Sequence, residues 1–490
     1  MSSALPVILR VALATGLLSV FFTGVCSGEN QQMQVPPVQT MRLDYFHTGN
    51  ADHEIFSVDK VVIEPLPWPG HPDRAIDTLD FGDYFFEVMD QASGEVLYSR
   101  GFSGIYPEWE EMAESAKEFR TFHESLRFPA PLEPVHLRVF RRDAMNRFVP
   151  VWDTSIDPAD TSIDRAPPPA RAPLIVLQEQ GDPADKVDLL ILGDGYTPAE
   201  MGKFESDARR MMEALFSVAP FRERRSDFNV WAMAPAAARS GVSRPSSGLQ
   251  RYTVLGTSYD AFDSERYVLT FDNRALREIA AHAPYEFIEI LVNNDTYGGG
   301  GVYGSYATAA VDSAWADYLF VHEFGHHFAG LADEYFTSPV AYQSKSPEVE
   351  PWEPNVTALL DEDGPKWRPL MRTSTLASTP IPTPWPKAAF EAYARDYQAR
   401  RQRIRDQGLP ESKMNALFAE AQAYFDELLS EAEYREQLGA FEGAYYESEG
   451  YYRPAMNCLM FTRHPVFCPV CAEAVTETID LYAGSVVTVP

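Results

Sequence analysis

Val187–Glu200 reads VDLLILGDGYTPAE. The run VDLLIL is almost continuously apolar, as a strand covered on both faces must be. Gly193-Asp194-Gly195-Tyr196 then makes a turn. Thr197-Pro198-Ala199-Glu200 is a capping box with proline at the first helical position, which predicts a helix over 198–218. Working outward, Phe228–Met233 and Phe287–Val292 read as further strands and Ala275–His282 as a helix. Strands alternating with helices predict an α/β layer.

Upstream the pattern changes. Residues 40–163 carry aromatic and β-branched segments such as MRLDYFHT and DYFFEVMD, split by short turns, which predicts an N-terminal β-sandwich. The proline-rich stretch 164–174 reads as a linker, and 175–490 as the second domain. Within it, two amphipathic, charged runs flank Gly408-Leu409-Pro410, predicting a helical hairpin inserted at 384–438. The glycine-rich segment 294–304, NDTYGGGGVYG, lacks the Gly-Lys-Ser/Thr of a phosphate loop. It reads as a turn leading into an edge strand over 302–310. The fold expected is α+β in two domains.

The chain has 490 residues, 45% of them hydrophobic, enough for a large core. Its 41 Lys+Arg against 71 Asp+Glu give a net charge of −30, which leaves no basic footprint for nucleic acid. Residues 1–27 read as a secretory signal peptide: Arg10, the apolar run 11–22 and a small-residue cleavage zone. The expected location is therefore secreted, periplasmic or at the cell surface, with Cys26 as a second possibility, a lipid tether. No later stretch reads as a transmembrane segment.

The chemistry lies in Val321–Tyr335, VHEFGHHFAGLADEY. On a helix, His322 and His326 share one face and can bind one Zn²⁺ through imidazole nitrogens. Glu323, beside the first ligand, suits a general base acting on water. Gly330 can end the helix in a left-handed turn, after which the chain presents Asp333 and Glu334. A catalytic zinc takes a third protein ligand. Asp333 is the first candidate, Glu334 the second, and the carboxylate left over can brace a ligand histidine. The spacing fits the metzincin pattern with one residue inserted. Met460, with Met456 as alternative, is the candidate for the methionine turn beneath the metal. Three cysteines lie beyond the leader, Cys458, Cys468 and Cys471. In an oxidising compartment they predict a disulfide from Cys458 to Cys468 or Cys471. Tyr451 and Tyr452 are candidates to donate a phenol to an oxyanion.

These motifs, together with DYFHTGN (44–50), IEPLPWPG (63–70), EPNVT (353–357) and FCPVC (467–471), resemble the bacterial IgA-peptidase family of zinc metallopeptidases along nearly the whole mature chain. The resemblance implies a β-rich N-terminal domain and a metzincin-like catalytic domain. It carries zinc binding to His322 and His326 and the base to Glu323, and leaves Asp333 against Glu334 open. The expected activity is that of an exported zinc-dependent endopeptidase acting on protein or peptide substrates. The competing expectations are an inactive zinc-containing surface binding protein, and an aminopeptidase or amidase on cell-wall peptides.

Overall fold

The computed structural model describes residues 38–338, 347–373 and 379–484. The signal peptide expected at 1–27, with Cys26, lies outside them. Val187–Asp194 is a strand buried along its whole length. It pairs in parallel with Phe228–Met233 on one side and Phe287–Val292 on the other, which explains its unbroken apolar run. The capping box forms: Glu200 Oε2 accepts from the Thr197 N–H at 2.8 Å and from its hydroxyl at 2.7 Å. The helix is shorter than the pattern predicts. Its first turn, Pro198–Glu200, is 3-10, and the α-helix runs Met201–Leu215.

The central sheet has six strands, in the order Gly299–Val302, Tyr306–Ala310, Phe287–Val292, Val187–Asp194, Phe228–Met233, Ile175–Gln178. The two outermost strands are antiparallel to their neighbours. The edge strand is thus the glycine run itself, and not a strand over 302–310: the chain turns between Val302 and Tyr306. The cause is tertiary. A Cβ on Gly301 would lie 2.3 Å from the Glu323 carbonyl oxygen, and one on Gly300 would lie 2.4 Å from the Tyr267 ring. Only glycine lets the strand pass between those neighbours. Gly301→Ala is expected to cost about 1–3 kcal/mol by overpacking. It should also lower peptide hydrolysis, since the strand is pressed against the helix that carries His326. Denaturant midpoints and hydrolysis rates check both; a variant as stable as wild type would refute the packing argument.

One face of the sheet shares a core with the helices Met201–Leu215, Ala316–Ala329 and Pro469–Tyr482. The helical hairpin, Lys387–Asp406 and Glu411–Ser430, joins that same core through Phe390, Tyr397, Phe418 and Phe425. Its apolar stripe is spent on packing: Phe418 lies edge-on to Tyr297 at 5.1 Å. The other face of the sheet is covered by Asn273–Ala280 and by Ile105, Tyr106, Trp109 and Phe122 from the N-terminal region.

That region holds two antiparallel sheets. One has the order Glu54–Pro67, Gln39–Gly49, Arg120–Pro129; the other Val96–Phe102, Tyr84–Asp90, Val135–Arg142, Phe148–Ile156. Alternate residues of both sheets, Met41, Leu43 and Phe128 with Phe86, Val88 and Leu137 among them, share one core. The start of the proline-rich segment is tied down, with Asp164 bonded on both sides to Val61 and Ile63. Among the described residues, no helix is long and apolar enough to cross a membrane.

Candidate active site

The helix Ala316–Ala329 carries the histidine motif and is almost wholly buried. Trp315 stands at its N-cap without a side-chain cap; Ser313 Oγ accepts from the Trp315 N–H at 3.3 Å. Gly330 ends the helix at φ 59°, and the N–H groups of Gly330 and Leu331 close back on His326 and Gly325. A side chain at 330 would also strike Trp352 at 2.7 Å. The chain therefore reverses at once and brings Asp333 back over the helix.

Three ligand atoms converge there. Asp333 Oδ1 lies 3.0 Å from His322 Nε2 and 3.4 Å from His326 Nε2, and the two nitrogens are 3.2 Å apart. The far sides of both rings are committed. His322 Nδ1 faces the Leu459 carbonyl at 3.2 Å and the Tyr318 hydroxyl at 3.1 Å; His326 Nδ1 faces the Leu331 carbonyl at 2.5 Å. Nδ1–H donating to a carbonyl leaves Nε2 as a lone pair. Two lone pairs and a carboxylate oxygen then point at one place, a set that could hold a metal ion. Their separations are those of ligands about 2.0–2.1 Å from one tetrahedral ion. Protons compete for the same atoms. Burial opposes the charged form of His326, but Asp333 outweighs it and pushes the imidazole up to about 9. Burial likewise works to raise Asp333, and the histidines overcome it and hold the carboxyl well below its usual range.

Glu323 lies on the same cleft as His322, His326 and Asp333, walled by Arg266, Tyr297, Tyr335 and Tyr446, with a volume of about 250 Å³. Burial raises its pKa above the ordinary carboxylate range. Glu334 takes no part in this triangle. It points away, toward Cys458, Cys468 and Cys471. His327 faces the sheet: Nδ1 meets the Val302 carbonyl at 3.0 Å, and Nε2 accepts from the Ile288 N–H at 3.1 Å. Desolvation pushes it down to about 3, so it is a neutral tie between helix and sheet. His327→Phe takes the acceptor from the Ile288 N–H, while the Val302 carbonyl keeps the Ser305 N–H at 3.0 Å, and is expected to cost about 1–3 kcal/mol in a denaturant titration.

Met460 is fully buried beneath the helix, and its sulfur would lie 3.2 Å from a Cβ at Gly325. Met456 is buried in the same core. The expected disulfide does not form; Cys458, Cys468 and Cys471 are free. Tyr451 packs in a small core and does not line the cleft. The phenols at the site come from elsewhere. Tyr446 donates to Asp333 Oδ2, and Arg266 donates to the Tyr335 hydroxyl at 3.2 Å. Tyr445 and Tyr446 adopt φ of 58° and 66° at a hairpin tip, unusual for non-glycine residues. Their N–H groups bond the carbonyls of Asp333 and Tyr335, which holds the tip over Asp333. Asn355 brackets the same loop, bonding Ala332 N–H at 2.8 Å and its carbonyl at 2.9 Å.

A buried histidine pair closed by a carboxylate, with a glutamate alongside in an open cleft, is the arrangement of a metallopeptidase. Known families agree with that class: residues 175–479 match the family described as IgA Peptidase M64, and residues 34–153 match the Peptidase M64 N-terminus. The chain belongs to the IgA peptidase M64 family of metallopeptidases. No curated protein matches it.

Proposed function

We propose that this protein is an exported zinc-dependent endopeptidase. The observation that carries the reading is the convergence of His322 Nε2, His326 Nε2 and Asp333 Oδ1 within 3.4 Å beside Glu323. The imidazole and carboxylate donors suit Zn²⁺. Zinc, when bound, supplies Lewis acidity toward the scissile carbonyl and lowers the pKa of water at the site. Glu323 takes a proton from the attacking water and passes it to the leaving amine; its burial favours the protonated form that makes the second transfer. Tyr446 and the Leu331 and Leu459 carbonyls hold the three ligands in orientation.

Substrate lies extended along the glycine strand Gly299–Val302 and pairs with its main chain. Gly299 is already engaged, donating to the Arg266 carbonyl at 3.0 Å and accepting from Val268 N–H at 3.1 Å. Gly301, next on that side, has no such bond among the described residues and is where pairing begins. Stripping metal with a chelator should abolish cleavage of a peptide library, and added Zn²⁺ should restore it. Full cleavage by metal-free protein would sink the reading.

A further inference from the structure

We propose that Cys458, Cys468, Cys471 and Glu334 bind a second metal ion, a structural Zn²⁺, beside the catalytic centre. Their ligand atoms all lie within 4.8 Å of one another. Cys458 Sγ and Cys471 Sγ are 3.7 Å apart, and Cys471 Sγ is 3.2 Å from Glu334 Oε1. Thiolates about 2.3 Å from one tetrahedral zinc stand about 3.8 Å apart. A disulfide would need the sulfurs at about 2.05 Å, could use only two of the three, and would do nothing for the buried Glu334 Oε2.

The surroundings are those of a closed ligand set. Cys458 and Cys471 are wholly buried, Cys468 is 4% exposed, and Glu334 is wholly buried. Backbone donors aim at the sulfurs: Cys468 N–H at Cys458 Sγ, 3.2 Å, and Cys471 N–H at Cys468 Sγ, 3.5 Å. The second pair comes from the first turn of the helix Pro469–Tyr482, where Cys468 is the N-cap, so the helix end also favours thiolate there. Asn355 Nδ2 orients Glu334 Oε1 at 3.1 Å, while Glu334 Oε2 is buried with no hydrogen-bond partner among the described residues. Buried Arg453, stacked between Trp385 and Phe461 at 4.1 and 3.8 Å, supplies a positive charge toward Glu334 and Cys458. Three thiols and an acid packed without a cation would be four poorly satisfied polar groups in a core. Three thiolates, a carboxylate and one soft dication satisfy one another, and Arg453 offsets the excess negative charge. With four protein ligands and no access to solvent, the ion is structural and not catalytic. It ties the Asp333–Glu334 segment to the Cys458–Met460 turn, where the Glu334 N–H bonds the Met460 carbonyl at 2.9 Å.

The test is the metal content of full-length wild type and of His326→Ala, read with X-ray absorption at the zinc edge. Two ions per chain are expected in wild type. One should remain in His326→Ala, with sulfur neighbours at about 2.3 Å. Cys471→Ser should lose that ion. Denaturation in chelator without reductant should leave Cys458, Cys468 and Cys471 all titratable, four thiols per full-length chain with Cys26. A count of two thiols, with the other two joined in a disulfide, would overturn the proposal. So would His326→Ala protein that stays free of zinc after reconstitution, or that holds zinc without sulfur neighbours. None of these readouts depends on peptidase activity, so failure of the second site and failure of the peptidase reading are separable.

Discussion

Glu323→Gln is expected to lower kcat for peptide hydrolysis by about 10²–10⁴-fold while leaving the bound metal in place. Gln keeps the shape and can still accept a hydrogen bond through its carbonyl oxygen, but it cannot take a proton from water. Glu323 is not one of the three converging atoms, so the ligand triangle survives the change. The wall behind it survives too: the strand meets the Glu323 backbone at Gly301 and its side chain at Gly299, and glutamine has the same shape at both contacts. The measurements are steady-state hydrolysis and metal content on the same preparation. Undiminished turnover with full metal would remove Glu323 from the mechanism; lost turnover with lost metal would make it a ligand or a structural support.

Asp333→Ala should weaken metal binding at the histidine pair by more than the 10–100-fold typical of losing a supporting partner, because here a ligand itself goes. Cleavage should disappear with it. Tyr446 would lose the acceptor that anchors the hairpin tip, so added zinc is not expected to restore full rate. Glu334→Gln is the control. Its carboxylate faces the cysteines, so zinc should stay on His322 and His326. If Glu334→Gln empties the histidine site and Asp333→Ala does not, the assignment of the third ligand is reversed.

The parts of the fold that could be read from sequence are those fixed by local chemistry. The capping box at Thr197–Glu200, the buried strand at Val187 and the i, i+4 histidines each follow from a few adjacent residues. The glycine run could not be placed, because what demands glycine there is the backbone of Glu323 from a distant helix. Asp333 and Glu334 could not be told apart, because the turn after Gly330 decides which one faces the histidines. The cysteines misled for a related reason. Counting thiols pointed to a disulfide, whereas the fourth member of the cluster is a carboxylate more than a hundred positions upstream. Tyr446 carried one signal in hindsight: a tyrosine pair at a turn, where a non-glycine residue with positive φ has to be held by its neighbours.

The opposed carboxylates of Asp333 and Glu334 make the Gly330–Glu334 segment intolerant of changes in length. Successive residues there serve different neighbours, so losing or gaining one residue would offer glutamate to the histidines, or pull both acids out of reach. The extra residue that separates this loop from the metzincin spacing is then a phase setting, and a graft of the histidine helix onto another scaffold would have to carry the chain through Glu334 unbroken.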